Sequence, residues 1–523
     1  MKLLSRLPLG PGPFAASALS GLFISLAFPR IDLWPGALVG LALLSLVARH
    51  RTAKAAFGCG FLAGLVHAAT LVYWVFTVLV TYGGISWILA IPIFALLAGY
   101  MALYQALWTL GLNLAERKLK IRFGGWQWIL IGAAIYTGLE YFKSFFLTGF
   151  PWGPLGSALY PNLVLIQAAD LAGVGGLTFL VVFINLSLAS AIAAYENRNL
   201  KNIVAPVLAV IVVLGLLWGY GHYRLIDIQD LTARASIKPV AIAQGSIEQS
   251  LKWSQDQRVK TMVTYRDLTF KAAKEKPWLT VWPETAAPFF YLRDQATTDW
   301  LNKVVMETGR PLLFGAPAYE ESSGLTKYYN RAYLLDGQAK VMGYYDKAHL
   351  VPYGEYVPLK EYFPFISKIT QAVGDYYSGQ PGKLVQLDGL KIGVLICFES
   401  IFPELARTSV TQGADYLVVI TNDAWFGRSS APAQHLVQSA LRAIETRRAV
   451  IRAANTGISA LISPSGRIET TLDLFVRDTL TGRVSRLTEK TIYTTIGDLA
   501  PQICLGVTIL IFTIAIIRRK HAI

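Results

Sequence analysis

Three residues of this 523-residue chain combine a reactive type with a setting that could use it. Cys397 ends the run Lys391-Ile-Gly-Val-Leu-Ile-Cys-Phe-Glu-Ser400, where an apolar strand pattern gives way to a helical one. A side chain there stands at a strand's C-terminal edge, near a helix N-terminus whose dipole favours a thiolate. A lone cysteine is ordinarily an inert core residue, but two companions change that reading. In Val281-Trp-Pro-Glu-Thr285 a strand pattern runs into Pro283 and leaves Glu284 at its end. In Tyr345-Asp-Lys-Ala-His-Leu-Val-Pro-Tyr-Gly-Glu-Tyr-Val-Pro358, Lys347 opens a loop rich in aromatics and pinned by prolines. Together they supply a nucleophile, a carboxylate base and a fixed cation, each at a strand-to-loop junction.

The elements that must carry these residues alternate strand and helix from about residue 238 to 490. Strands are expected at Pro239–Gln244, Leu279–Pro283, Pro311–Ala316, Arg331–Leu335, Leu390–Ile396, Tyr416–Thr421 and Ala449–Ala453. Helices are expected at about 255–274, 294–308, 400–412 and 431–447.

Outside that region the texture is different. Hydrophobic residues make up 54% of the chain and charged ones 15%, a pairing that excludes disorder and argues against a purely soluble protein. Seven apolar stretches precede residue 222, at about 12–29, 33–48, 55–80, 86–114, 125–142, 170–195 and 203–221, and an eighth runs from Pro501 to Ile517. Their lengths suit membrane helices. Residues 14–28 resemble a signal-peptide core, but no A-x-A site follows, so a retained span is expected.

The net charge of +15 divides into +8 for residues 1–222, +4 for 223–500 and +3 for 501–523. Most of the excess therefore lies in the apolar parts, and no basic stripe with aromatics is left for a nucleic acid. With a cytoplasmic N-terminus, fourteen Lys and Arg fall on the inner side, including Arg49, Arg51, Lys54, Arg117, Lys118 and Lys120. Only Arg30 and Lys143 fall in the short outer loops, a bias that fixes orientation. Both termini are then cytoplasmic. The expected domains are a membrane domain at 1–222, an extracytoplasmic catalytic domain at 223–500, and a last span with a short tail at 501–523.

Cys59 and Cys504 fall within apolar stretches, so Cys397 has no disulfide partner in the extramembrane region. His349 and His435 stand apart, and no Cys/His cluster has zinc-ligand spacing; no metal site is expected.

Glu284, Lys347 and Cys397, in that order and with spacings of 63 and 50 residues, resemble the catalytic set of the nitrilase superfamily. Behind seven apolar stretches and before an eighth, the whole chain resembles the bacterial apolipoprotein N-acyltransferase family. The segment Lys347–Pro358 and Thr421-Asn-Asp-Ala-Trp-Phe-Gly427 carry that narrower likeness. One departure is Phe398, where members often have Tyr. The resemblance implies a multi-pass α-helical membrane domain of eight helices joined to an α/β nitrilase-like α-β-β-α sandwich. It implies a bacterial inner-membrane enzyme with a periplasmic catalytic domain. Its acyl donor would be a phospholipid and its acceptor the N-terminal amine of a diacylated apolipoprotein. A ping-pong mechanism through a Cys397 thioester needs neither cofactor nor metal, and a monomer is expected.

Around this set, Lys347 and the Phe398 backbone N–H are candidates for oxyanion donors, and Glu355 and Glu399 for orienting Lys347 or the incoming amine. Trp253, Tyr353, Tyr356 and Phe363 would form an aromatic cover, with Trp152 in Gly149-Phe-Pro-Trp-Gly153 at a lipid entrance. Gln244 and Asn330 are candidates for supporting hydrogen bonds. A membrane-tethered amidase for small amides would use the same three residues but has no need of so many apolar helices. A transporter would need ionisable residues along a path through the spans, where only Glu140 and Asp170 qualify.

Overall fold

The computed structural model describes residues 11–248, 255–322, 325–356 and 376–520. The chain divides into two compact units. One comprises Met1–Val80, Ile85–Ile226 and Ile496–Ile523; the other comprises Thr81–Gly84 and Asp227–Thr495.

The first unit is helical among the described residues. Helices coincide with all eight apolar stretches: Pro11–Leu26, Gly40–Ala48, Ala53–Leu71, Trp87–Arg117, Trp126–Lys143, Ala169–Glu196, Lys201–Arg234 and Leu499–Lys520. Among the described residues, five segments are long and apolar enough to cross a membrane: Ala53–Leu71, Trp87–Arg117, Leu165–Glu196, Lys201–Arg234 and Leu499–Arg518. The remaining three helices are shorter, at 16, 9 and 18 residues. Trp87, Ile88, Leu89 and Leu96 stand more than half exposed on one of the long helices, a pattern that suits contact with lipid chains rather than water. The acids inside this unit are tied to its own groups. Asp170 accepts from the Tyr220 hydroxyl at 2.7 Å and from Arg224 Nε at 2.9 Å. Glu140 accepts from Leu155 N at 2.9 Å and Thr178 Oγ1 at 2.6 Å. Such partners offset the cost of placing carboxylates among apolar helices.

In the second unit twelve strands form two six-stranded sheets. The first contains β1 (Ile237–Gln244), β2 (Leu279–Val281), β3 (Leu312–Ser322), β4 (Leu325–Leu335), β5 (Val341–Asp346) and β12 (Asp478–Ser485), in the order β12-β1-β2-β3-β4-β5. The second contains β6 (Leu384–Leu387), β7 (Leu390–Ile396), β8 (Tyr416–Thr421), β9 (Val450–Ala454), β10 (Ser459–Ile462) and β11 (Ile468–Leu472), in the order β11-β10-β9-β8-β7-β6. The sheets face each other across one apolar core. Val240, Ile242, Val281, Leu313 and Leu334 come from the first sheet; Val394, Ile396, Val418, Ile420 and Ile451 come from the second. Every residue of β8 is buried, as expected of a parallel strand covered on both faces.

A second apolar cluster lies on the far side of the first sheet. There Trp282, Phe314 and Tyr333 meet Tyr265 and Leu268 of helix Gln255–Ala273 and Leu301 and Val305 of helix Gln295–Thr308. Helices Pro403–Thr411 and Ala431–Thr446 pack against β7 and β9 of the other sheet. The result is the four-layer α-β-β-α sandwich. All seven expected strands and all four expected helices are present. Five strands, β5, β6, β10, β11 and β12, were not anticipated.

Candidate active site

The three reactive residues stand at the same kind of place because the strands beneath them run in matched directions. β2 is parallel to β3, β3 antiparallel to β4, and β4 antiparallel to β5, so the C-terminal ends of β2 and β5 share one edge of the first sheet. Glu284 follows β2 by three residues, and Lys347 directly follows β5. In the second sheet β7, β8 and β9 are parallel, which places Cys397, Asn422 and Asn455 together beyond their C-terminal ends. Carboxyl ends of parallel strands are the usual binding edge of α/β sheets.

Side-chain contacts join the edges. Lys347 Nζ lies 2.9 Å from Glu355 Oε1 and 3.6 Å from Glu284 Oε1, with its side chain almost wholly buried. Asn330, opposite Lys347 on the neighbouring strand, donates through Nδ2 to Glu284 Oε1 at 2.7 Å and to Glu355 Oε1 at 3.0 Å. The backbone N–H of Asn422, from the second sheet, donates to Glu284 Oε2 at 2.8 Å. Glu355 is aimed by a tight turn in which Glu355 N donates to Val351 O at 2.9 Å and Val351 N donates back to Glu355 Oε2 at 2.8 Å. Two carboxylates are therefore held beside one buried ammonium.

The charge states follow from this crowding. Burial works against the charge on Lys347, but Glu355 and Glu284 outweigh it and raise its pKa, so the cation persists. Burial pushes the Cys397 thiol up and Glu284 pushes it further, while Lys347 opposes them. The resting cysteine is therefore a thiol, and a base must take its proton as it reacts. Cys397 has a left-handed backbone, φ 55°, which a β-carbon makes costly. Thr285, beside Glu284, is left-handed too, at φ 50°.

The other expected residues divide into those that reach the site and those that do not. Asn330 and Glu355 touch the reactive set directly. Glu399 does not reach Lys347 or an open space: it accepts from Ile396 N at 2.7 Å, Ala348 N at 2.7 Å, His349 N at 3.0 Å and the Tyr345 hydroxyl at 2.8 Å. It therefore staples the cysteine turn to the lysine loop, with burial pushing its pKa up to about 7. Phe398 lies in the Cys397–Ile401 turn, its ring 5.1 Å from Phe402 and 5.9 Å from His349. Tyr353 is exposed and donates its N–H to Tyr356 O at 2.8 Å, so both shape the turn that presents Glu355.

Gln244 bonds elsewhere, donating to Asp473 O and Val476 O and accepting from Ser459 Oγ, which binds β1 to β10 rather than to the reactive set. Trp152 belongs to the first unit, where it is buried with its ring 4.7 Å from Trp74 and 6.0 Å from Phe150. Trp253 and Phe363 lie outside the described residues. Sequence reasoning gave no role to Asn422 or to the group His435, Asp423 and Arg452. For Asn422 and Asp423 the signal was the Thr421–Gly427 segment, which marks a likeness without saying which atoms matter; His435 and Arg452 lie beyond it. No group of three or more His, Cys, Asp or Glu suited to a metal occurs among the described residues.

One glycine sets the distance between β2 and β3 at the site. A β-carbon on Gly315 would come within 2.6 Å of Thr285 N, 2.7 Å of Glu284 Cα and 2.8 Å of Pro283 O, all of them backbone. Gly315→Ala must therefore push the Glu284 segment away. We expect a destabilisation of about 1–3 kcal/mol, read as a lowered Tm, together with a loss of activity larger than the fraction unfolded accounts for.

Residues 20–187 match the family described as apolipoprotein N-acyltransferase N-terminal domain, and residues 239–493 match carbon-nitrogen hydrolase. The apolipoprotein N-acyltransferase of Geobacter metallireducens is 36% identical over 97% of this chain and 96% of its own. That of Pseudomonas putida is 35% identical, covering 94% of each. Among solved structures, an amidase from Nesterenkonia sp. is 20% identical over 48% of this chain and 92% of its own, with a TM-score of 0.36. With both halves matched and the likeness running nearly end to end, the chain belongs to the apolipoprotein N-acyltransferase family.

Proposed function

We propose that this protein moves a fatty acyl group from a membrane phospholipid to the N-terminal amine of a diacylglyceryl-cysteine lipoprotein. The observation that carries the reading is the meeting of Glu284, Lys347 and Glu355, beyond matched strand ends, in a chain that also holds helices able to cross a membrane. Cys397 is the nucleophile. As Sγ attacks the ester carbonyl carbon, Glu284 takes the thiol proton, and Lys347 with the Phe398 N–H stabilises the oxyanion. Collapse breaks the ester C–O bond, and the proton passes from Glu284 to the departing oxygen, releasing a lysophospholipid. The acyl chain stays on sulfur as a thioester.

In the second half-reaction the lipoprotein's terminal ammonium gives a proton to Glu284 and attacks the thioester carbon as the neutral amine. The new C–N bond forms, the C–S bond breaks, the departing sulfur takes the proton from Glu284 to restore the thiol, and the second proton lost from nitrogen leaves to solvent. Glu355 holds Lys347 in place through both halves, and Asn330 bridges the two carboxylates by donating to each. Tyr353 and Tyr356 cover the thioester against water, which would otherwise turn the enzyme into a phospholipase. No cofactor or metal enters the cycle.

The chain is read as eight membrane spans, seven in a membrane domain of residues 1–222 and one in 501–523, flanking a catalytic domain of 223–500. The basic inner loops support a placement in the bacterial inner membrane with both termini cytoplasmic and the catalytic domain periplasmic. The reading takes the enzyme to be a monomer, with Trp152 at the lipid entrance. The test is incubation of the purified full chain with radiolabelled phospholipid vesicles and a diacylated lipopeptide. Labelled triacylated peptide is the expected product; ammonia release from small amides with no labelled peptide would overturn the reading.

A further inference from the structure

Beneath the cysteine turn lies a group of buried polar side chains that the proposed chemistry does not use. His435, fully buried on helix Ala431–Thr446, points its imidazole at that turn. Its Nε2 is 2.8 Å from Ser400 Oγ and 3.1 Å from the carbonyl oxygen of Cys397. Ser400 Oγ in turn donates to the same carbonyl at 3.0 Å. On the other side of the ring, Nδ1 lies 2.9 Å from Asp423 Oδ1. Asp423 is itself fixed: Arg452 Nη2 donates to Oδ2 at 2.7 Å and the Thr421 hydroxyl donates to Oδ1 at 2.8 Å. His435, Asp423, Arg452 and Ser400 are all buried, so none can touch a substrate.

A polar network in an apolar core is costly unless it is fully satisfied, and it then rigidifies what it touches. Its target here is a strained backbone position, the one that carries the nucleophile. Cys397 adopts a left-handed conformation, and its carbonyl accepts from Ser400 Oγ and, with a proton on Nε2, from His435, whose Nδ1 also lies 3.1 Å from Arg452 Nη2. The preceding N–H, that of Ile396, is held by Glu399 at 2.7 Å. Relaxing the turn to an ordinary backbone would relieve the strain and swing Sγ off its line of attack.

We propose that His435 is a positioning residue for the acyl transfer: backed by Asp423 and Arg452, it clamps the Cys397 carbonyl and so keeps the strained turn in the conformation that presents the thiol. It acts on the nucleophile's backbone, not on the reacting atoms. The inference rests on Cys397 being the acylated residue.

The test uses the full chain in phospholipid nanodiscs and follows the first turnover, as lysophospholipid released and as acylated Cys397 found by mass spectrometry. His435→Leu should slow acylation about 100-fold, the scale of a displaced reacting atom, with KM for the phospholipid within about twofold. His435→Gln, whose side-chain amide can donate to the same carbonyl, should recover about tenfold of that loss, whereas a role in folding alone would predict no such recovery once Tm is matched. Ser400→Ala removes the second grip and should slow acylation several-fold; it and His435→Gln decide the matter if His435→Leu does not fold. Wild-type first-turnover rates in the folded variants overturn the proposal. An acyl adduct absent from Cys397 in the unaltered enzyme overturns the reading of the nucleophile instead, so the two failures are distinct.

Discussion

Cys397→Ser is expected to abolish both the acyl-enzyme and the transfer of label to lipopeptide, a loss of at least about 10⁴-fold. The replacement changes one atom, yet the chemistry depends on it at two points. A hydroxyl is a far weaker acid than a thiol, and the surroundings already push the thiol's pKa upward through burial and Glu284. Glu284 could not remove the proton from serine in the same site. Had an ester formed, it would aminolyse far more slowly than a thioester, so the second half-reaction would stall as well. The measurement is mass spectrometry of the enzyme after exposure to phospholipid without acceptor. The unaltered protein should gain one acyl mass on the peptide holding Cys397 and the variant none. An adduct of equal yield elsewhere in the variant would reject Cys397 as the nucleophile.

Glu284→Gln should slow formation of the acyl-enzyme about 10³-fold near neutral pH, within the range a lost general base costs. The amide keeps the size of the side chain but has a single acceptor oxygen, so it can accept from the Asn422 N–H or from Asn330 Nδ2 and not from both; a Tm measured alongside separates that loss from the loss of the base. The pH dependence gives the sharper check, and its sign follows from the site. Glu284 raises the thiol's pKa, so removing its charge should let Cys397 ionise at a lower pH. Direct alkylation by iodoacetamide should accordingly shift toward lower pH in the variant. Acylation should nonetheless be slower, with a deficit that shrinks as pH rises and the thiol ionises unaided. An acylation rate equal to that of the unaltered enzyme at neutral pH would show that another group is the base.

The parts of this site that were legible in the sequence were those set by local pattern. A strand of apolar residues ending at a reactive side chain is visible in one dimension, which is why Glu284, Lys347 and Cys397 could be placed at strand ends. Glu355 became a candidate through the family resemblance of its position rather than through local pattern. What could not be read was partnership across the sandwich. Asn422 offers its backbone N–H, to which no side-chain type gives a clue, and its partner Glu284 is 138 residues away. Glu399 could be foreseen as important but not as a staple, because three of its four donors come from β5 and the loop after it, some 50 residues away. His435 looked solitary because its partners sit 12, 17, 35 and 38 residues away on other elements.

The missed strands have a related cause. β6 is four residues long, and β11 exposes its central residues, so neither offers a sustained apolar alternation. β12, Asp-Thr-Leu-Thr-Gly-Arg-Val-Ser, is polar enough to pass for a loop. In the membrane unit the pattern was clearer because length and apolarity alone carry it, and helices coincide with every stretch.

The pairing of β1 with β12 bears on how the polypeptide is made. Ile237 through Gln244 align antiparallel with Ser485 back to Asp478, so the first strand of the sandwich lies beside the last. While the chain emerges from the ribosome, β1 can pair with β2, but its other edge stays open until some 240 further residues have been synthesised. An open edge is a template for pairing with other chains. The nascent sandwich must therefore be sheltered for most of its translation. It can close only once β12 has emerged, and helix Leu499–Lys520 follows β12 after a short connection, so closure of the sandwich and synthesis of that helix fall close together in time.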